Sequence, residues 1–198
     1  LLAQELNDVG QYEEAILHLD RIDVDDVFGQ LAQLLKASIV ENMDDPERAV
    51  SILEAVIIRN RDNPYLYHRV GDNYRRMQRY AESRDAYMKA MALGNDSGSL
   101  HRNLGMALER LGDDLAAETH LLRAVEIDPS DSYALNYLGY WWADEGRNLD
   151  QAIGLIERAV EQSPGSGFFV DSLGCVHFKL GNPQKAVDYL ERATELEP

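Results

Sequence analysis

The sequence is short of several things, and each shortage excludes a class of protein. Cysteine occurs once, at Cys175, so no intrachain disulfide and no cysteine-based metal site can form. Positive charge is scarce: 19 lysines and arginines stand against 35 aspartates and glutamates, a net charge of −16. Such a chain repels phosphate backbones, which argues against a nucleic-acid partner. No apolar run approaches the about 20 residues that a membrane helix needs, so this segment is not expected to insert in a membrane. The chain opens on Leu1 rather than methionine, so the lack of a visible leader says little about compartment.

Sites for chemistry are equally scarce. His18, His68, His101, His120 and His177 show no metal-ligand spacing, so neither a metal nor a cofactor is expected. Cys175 and His177 stand two apart, which makes them diverge on a helix and unsuited to a nucleophilic dyad. The acidic run Asp20, Asp23, Asp25 and Asp26 lacks the glycine and closing glutamate of a calcium loop and reads as a linker. Gly165-Ser166-Gly167 follows Pro164 and reads as a turn, not a phosphate loop. Asn95-Asp96-Ser97 matches a glycosylation sequon, a pattern common by chance. The chain does not read as an enzyme.

What is present is a period. Small residues recur at Ala15, Ala49, Ser83, Ala117, Ala152 and Ala186, with spacings of 34, 34, 34, 35 and 34. Four residues after each come Leu19, Leu53, Tyr87, Leu121, Ile156 and Leu190; three further on come Ile22, Val56, Ala90, Ala124, Ala159 and Ala193. Steps of +4 and +7 mark one buried face of a helix. Upstream runs a second column, Ala3, Ala37, Gly71, Gly105, Gly139 and Gly174. Glycine inside a helix costs about 1 kcal/mol against alanine, so its recurrence implies two helices in close approach. Pro64, Pro129, Pro164 and Pro198 fall at or beyond the ends of second helices, and Gly112, Gly146 and Gly181 separate the two helices of a repeat.

These columns resemble the tetratricopeptide repeat family. The last two repeats carry the pattern most fully: Leu135, Leu138, Gly139, Trp142, Ala152, Ile156, Ala159, Pro164, then Val170, Leu173, Gly174, His177, Ala186, Leu190, Ala193, Pro198. The resemblance implies an all-α, right-handed superhelical solenoid of antiparallel helix pairs over 1–198. Six repeats are expected, at about 1–30 (truncated at its start), 31–64, 65–98, 99–131, 132–165 and 166–198. The weak start and a last helix with nothing following suggest a fragment of a longer array; a homodimer through an uncapped end is the alternative. The phrases from Tyr137 to Asp144 and from Val170 to His177 resemble a subgroup of bacterial members, some of them secreted or outer-membrane adaptors. That implies a bacterial source, and a periplasmic or outer-membrane-tethered setting over the cytoplasm.

The resemblance further implies that first helices line a concave groove. In the fifth repeat, Tyr133, Asn136, Tyr137 and Tyr140 form a stripe opposite the packing residues. Tyrosine combines apolar area with a hydrogen-bonding tip, so the stripe reads either as a peptide surface or as packing between repeats. Phe168, Asp171, Ser172 and Cys175 continue it; Arg102, Asn103, Met106 and Arg110 precede it, and Tyr65, His68, Arg69, Asp72 and Arg76 come before those. The peptide-binding set is therefore Arg69, Arg102, Asn103, Met106, Tyr133, Asn136, Tyr137, Tyr140 and Phe168. A gradient from arginine to tyrosine suits a segment with an acidic part and an apolar part. Some members of the family grip a carboxylate with a Lys/Asn/Lys/Arg clamp; Arg69, Arg102, Asn103 and Asn136 resemble parts of it, at different spacing and without the lysines. The extra residue of the fifth repeat falls within 146–150 and enlarges its turn. The function expected is a scaffold or adaptor that binds a partner peptide or helix in the groove. The alternatives are a self-assembly module, or the regulatory part of a larger enzyme.

Overall fold

The computed structural model describes residues 2–26 and 28–196. Its helices come in pairs: α1 (Leu2–Asp8) with α2 (Tyr12–Leu19), α3 (Gly29–Asn42) with α4 (Pro46–Ile57), and α5 (Pro64–Arg76) with α6 (Tyr80–Ala92). Then come α7 (Gly98–Arg110) with α8 (Asp114–Ile127), α9 (Ser132–Asp144) with α10 (Leu149–Gln162), and α11 (Gly167–Lys179) with α12 (Pro183–Leu196). Among the described residues there are twelve helices and no strand, and no helix is long and apolar enough to cross a membrane. Pro198, placed by the sequence at the end of the last repeat, lies outside the described residues.

Local chemistry sets the helix ends. Pro46 and Pro64 open α4 and α5, where a missing N–H costs nothing, and Asp45 and Asn63 cap those helices by accepting from Arg48 N and Tyr65 N. The chain reverses within each pair through a left-handed residue: Gly10, Asp44, Gln78, Gly112, Gly146 and Gly181, with φ between 58° and 77°. The reversal needs three residues in five pairs and four in the α9–α10 pair, where Asn148 is left-handed as well.

The chain divides into two compact units, Leu1–Asp96 with Ala107–Asp113, and Ser97–Met106 with Asp114–Pro198. The first is filled by Ala15, Ile16, Leu19, Ile39, Val40 and Ala49, and by Ala37, Leu53, Val56, Leu66 and Val70. Tyr87 is fully buried there; its hydroxyl donates to Asp72 Oδ1 at 2.7 Å, and burial, then Asp72, push its ionisation far above the ordinary range. In the second unit Leu135, Ala159 and Phe169 form a core cluster, and α9 packs against both α10 and α11.

The lengthened turn has a specific use. It carries Arg147, whose guanidinium lies 4.6 Å from the Trp141 ring centre and 5.9 Å from that of Trp142. Arg147 Nη1 donates to Glu118 Oε1 at 2.7 Å, and Nε donates to Glu145. Trp142 Nε1 donates to the same Glu118 oxygen at 2.7 Å, and Trp141 Nε1 to Glu145 Oε1 at 3.0 Å. Two indoles, two carboxylates and one guanidinium thus tie the turn back to α8.

Two histidines that spacing left apart meet in space. His101 Nδ1 and His120 Nδ1 are 2.8 Å apart, so one ring donates to the other, an arrangement lost when both are protonated. Among the described residues no three metal-ligating side chains converge. Burial, then His101, hold His120 below the ordinary imidazole value of 6.5; burial, then Lys185, do the same to His177. Both take up protons less readily folded than unfolded, so the stability they permit is present above about pH 6.5 and is lost as pH falls. The urea midpoint should therefore drop between pH 7 and pH 5, and drop less in a His120→Gln/His177→Gln variant. An identical drop in that variant would place the dependence elsewhere.

Candidate binding face

In the second unit the stripe residues come from α9, α11 and the 98–106 part of α7, and α9 shows how they are set. Asp131 caps it, accepting from Tyr133 N at 3.0 Å and Ala134 N at 3.1 Å. That phase buries Leu135, Leu138, Gly139 and Trp142. It leaves Tyr133 64% and Tyr140 40% exposed, with Tyr137 half-buried between them. The stripe read from the sequence is thus divided between solvent and packing. The Tyr133 ring meets Phe169 of α11 edge-on at 5.3 Å, and Phe168, itself 52% exposed, stands edge-on to Phe169 at 5.3 Å. Met106 on α7 is half-buried.

The two asparagines differ. Asn103 is buried, and its Oδ1 accepts from Arg102 Nε at 3.2 Å. Asn136 is 4% exposed, and its Oδ1 meets no hydrogen-bond donor. Almost all buried polar atoms in folded proteins are satisfied, so such an oxygen needs an explanation.

The arginines of the stripe are already occupied. Arg102 Nη1 forms an ion pair with Asp131, and its guanidinium lies 5.9 Å from the Tyr133 ring centre. In the first unit, Arg69 Nη2 donates to Glu41 Oε2 at 2.7 Å and to Ser38 Oγ at 3.0 Å, while Asn73 Nδ2 donates to the other Glu41 oxygen at 2.7 Å. Arg76 pairs with Asp44 at 2.6 Å, and Arg110 with Glu109 at 3.3 Å. Eight of the nine sequence-derived residues lie in the second unit, and Arg69 lies in the first.

Sequence reasoning missed Asp131 as the counter-charge to Arg102. The two are 29 positions apart, and only the aspartate's place before a helix marked it, as a cap. The sequon asparagine Asn95 is buried with its Nδ2 3.2 Å from His68 Nδ1, so its amide is packed rather than presented.

Models of the tetratricopeptide repeat match residues 62–130, 116–167 and 171–198. Superkiller complex protein 3 of Mus musculus is 24% identical over 163 residues, 79% of this chain and 10% of its own length. A TPR repeat-containing protein of Pseudomonas aeruginosa is 30% identical over 93 residues, 47% of this chain and 16% of its own. The chain therefore spans less than a fifth of these curated relatives. The crystal structure of YrrB, described as a TPR protein with an unusual peptide-binding site, aligns with a TM-score of 0.65 at 26% identity, covering 94% of this chain and 92% of that one. These likenesses are to an all-α helical-repeat solenoid.

Proposed function

This chain belongs to the tetratricopeptide repeat family, and from that premise we propose that it is a non-catalytic scaffold that binds a segment of a partner protein on the α7–α9–α11 face. The observation that carries the reading is Asn136: a buried amide oxygen without a donor, on a helix face where Tyr133 and Tyr140 are exposed. An unmet buried acceptor costs about 1–3 kcal/mol, and a main-chain N–H of a bound segment removes that cost. Tyr133, Tyr140 and Phe168 supply the aromatic area that dominates such contacts. The likeness to YrrB, a TPR protein with a peptide-binding site, supports the same direction.

The test pairs two variants. Asn136→Leu removes an unsatisfied polar group, so it should leave the melting temperature unchanged or higher while reducing recovery of partners on an affinity column. Tyr133→Ala/Tyr140→Ala should weaken binding by about tenfold or more with little change in melting temperature. Undiminished recovery with both variants would remove this face from consideration. The bacterial-envelope setting belongs to the same proposal and rests on the phrases Tyr137–Asp144 and Val170–His177. Fractionation of the source cells tests it, and recovery solely with cytoplasmic proteins would remove it.

A further inference from the structure

Resting on that reading, we infer that the face selects against acidic partners, and that Asp131 is the residue that sets this preference. The partner segment is one with aliphatic or aromatic side chains beside a lysine or arginine.

In repeat register, Arg102, Asn136 and Asp171 occupy one position, three residues before the column glycines Gly105, Gly139 and Gly174. The cation of that series is neutralised within the unit: Asp131 holds the Arg102 guanidinium, whose Nε is also given to Asn103. The Arg102 and Asp131 side chains are only 21% and 10% exposed, which shields their pairing from solvent. At the far end of the face, Lys179 Nζ is taken by Asp144, 2.7 Å from Oδ1 and 3.2 Å from the main-chain oxygen. An incoming carboxylate therefore finds no guanidinium or ammonium without a counter-charge on these residues. It would have to break an existing pair.

The anion of the series is different. Asp171 is exposed on α11, on the side of that helix that carries Phe168, and makes no ion pair among the described residues. Its contact is the Cys175 thiol, whose sulfur lies 3.9 Å from Oδ2. Burial, then Asp171, push that thiol up, against a smaller opposing pull from Lys179, whose own ion pair is with Asp144. Phe168, Tyr133 and Tyr140 add ring faces, which attract lysine and arginine as well as apolar side chains. The net charge of −16 acts in the same sense at longer range. Apolar area, a free carboxylate and self-cancelled cations together describe a site for an apolar segment that carries positive charge.

The experiment is selection of a random-peptide display library on the purified protein. Wild type should enrich aliphatic and aromatic residues with lysine or arginine, and deplete aspartate and glutamate. Asp131→Ser keeps a side chain able to cap α9 while releasing Arg102, so depletion of acidic residues should be lost, with affinity for acidic peptides rising about tenfold. Asp171→Asn should remove the preference for lysine and arginine. If wild type enriches acidic peptides, or Asp131→Ser leaves the charge preference unchanged while circular dichroism shows it folded, the inference fails and the binding reading stands. If enrichment is the same for wild type and for Asn136→Leu with Tyr140→Ala, or if none occurs, both fail.

Discussion

Gly139→Ala should lower the melting temperature by roughly 4–8 °C, a loss of about 2 kcal/mol. The direction is opposite to what helix propensity dictates, since alanine is favoured over glycine by about 1 kcal/mol in a helix interior. The reversal comes from what a Cβ would meet. It would lie 2.7 Å from the main-chain oxygen of Ala152, 2.8 Å from Ile156 Cγ1 and 3.2 Å from Leu155 Cβ. The Ala152 oxygen belongs to the α10 backbone and cannot swing aside, so α9 and α10 must separate. Gly174 offers a control within the same column. There the Cβ would meet Leu190 Cγ at 2.9 Å and Cδ2 at 3.0 Å, with the Ala186 oxygen at 3.2 Å. Leu190 is only half-buried and can turn, so Gly174→Ala should cost less than half as much. Thermal melts of both variants decide the matter. A Gly139→Ala protein as stable as wild type would show that the column is not there for close approach.

Trp142→Ala should be more damaging, at about 3–5 kcal/mol, the usual range for deleting a buried large aromatic. That is a large part of the 5–15 kcal/mol that ordinarily separates folded from unfolded domains. Two losses combine. The ring is 5% exposed, so its removal leaves a cavity beside α10. Its Nε1 also satisfies Glu118, which shares the same oxygen with Arg147. Trp142→Phe separates the two: it keeps much of the volume and loses the charged hydrogen bond, so it should cost about 1.5–3 kcal/mol. Urea denaturation measures both. If the alanine variant came within 1 kcal/mol of wild type, the indole cluster would contribute little to stability.

How legible these features were depends on the distance over which each is determined. The helix pairs were readable because a small residue, an apolar residue four later and another three beyond recur in each repeat; periodicity is a local signal. The helix-separating glycines were readable too, and their positive φ angles bear this out. Asp44 and Gln78 do the same work in the second and third repeats, but neither residue type announces a left-handed turn as glycine does. The candidate face was less accessible. Sequence placed Tyr133, Asn136, Tyr137 and Tyr140 on one stripe, but side-chain burial depends on the neighbouring helix, so it could not separate the exposed Tyr133 and Tyr140 from the buried Asn136. Nor could it show that Arg69 and Arg102 are neutralised, because Glu41 and Asp131 lie 28 and 29 positions away. The His101–His120 pair escaped for the same reason: the two residues sit on different helices of a hairpin, and their spacing of 19 matches no ligand motif.

The four-residue reversal between α9 and α10 has a consequence for how the chain frays. A longer connection ordinarily opens first, because it has more conformations to recover and fewer contacts to lose. Here the added length delivers Arg147 to Glu118 on α8, so the segment cannot lift away without parting a guanidinium from two carboxylates and two indoles. The longest reversal among the described hairpins is thus coupled to α8 and α9. Proteases and solvent exchange will find a weaker entry at a shorter turn.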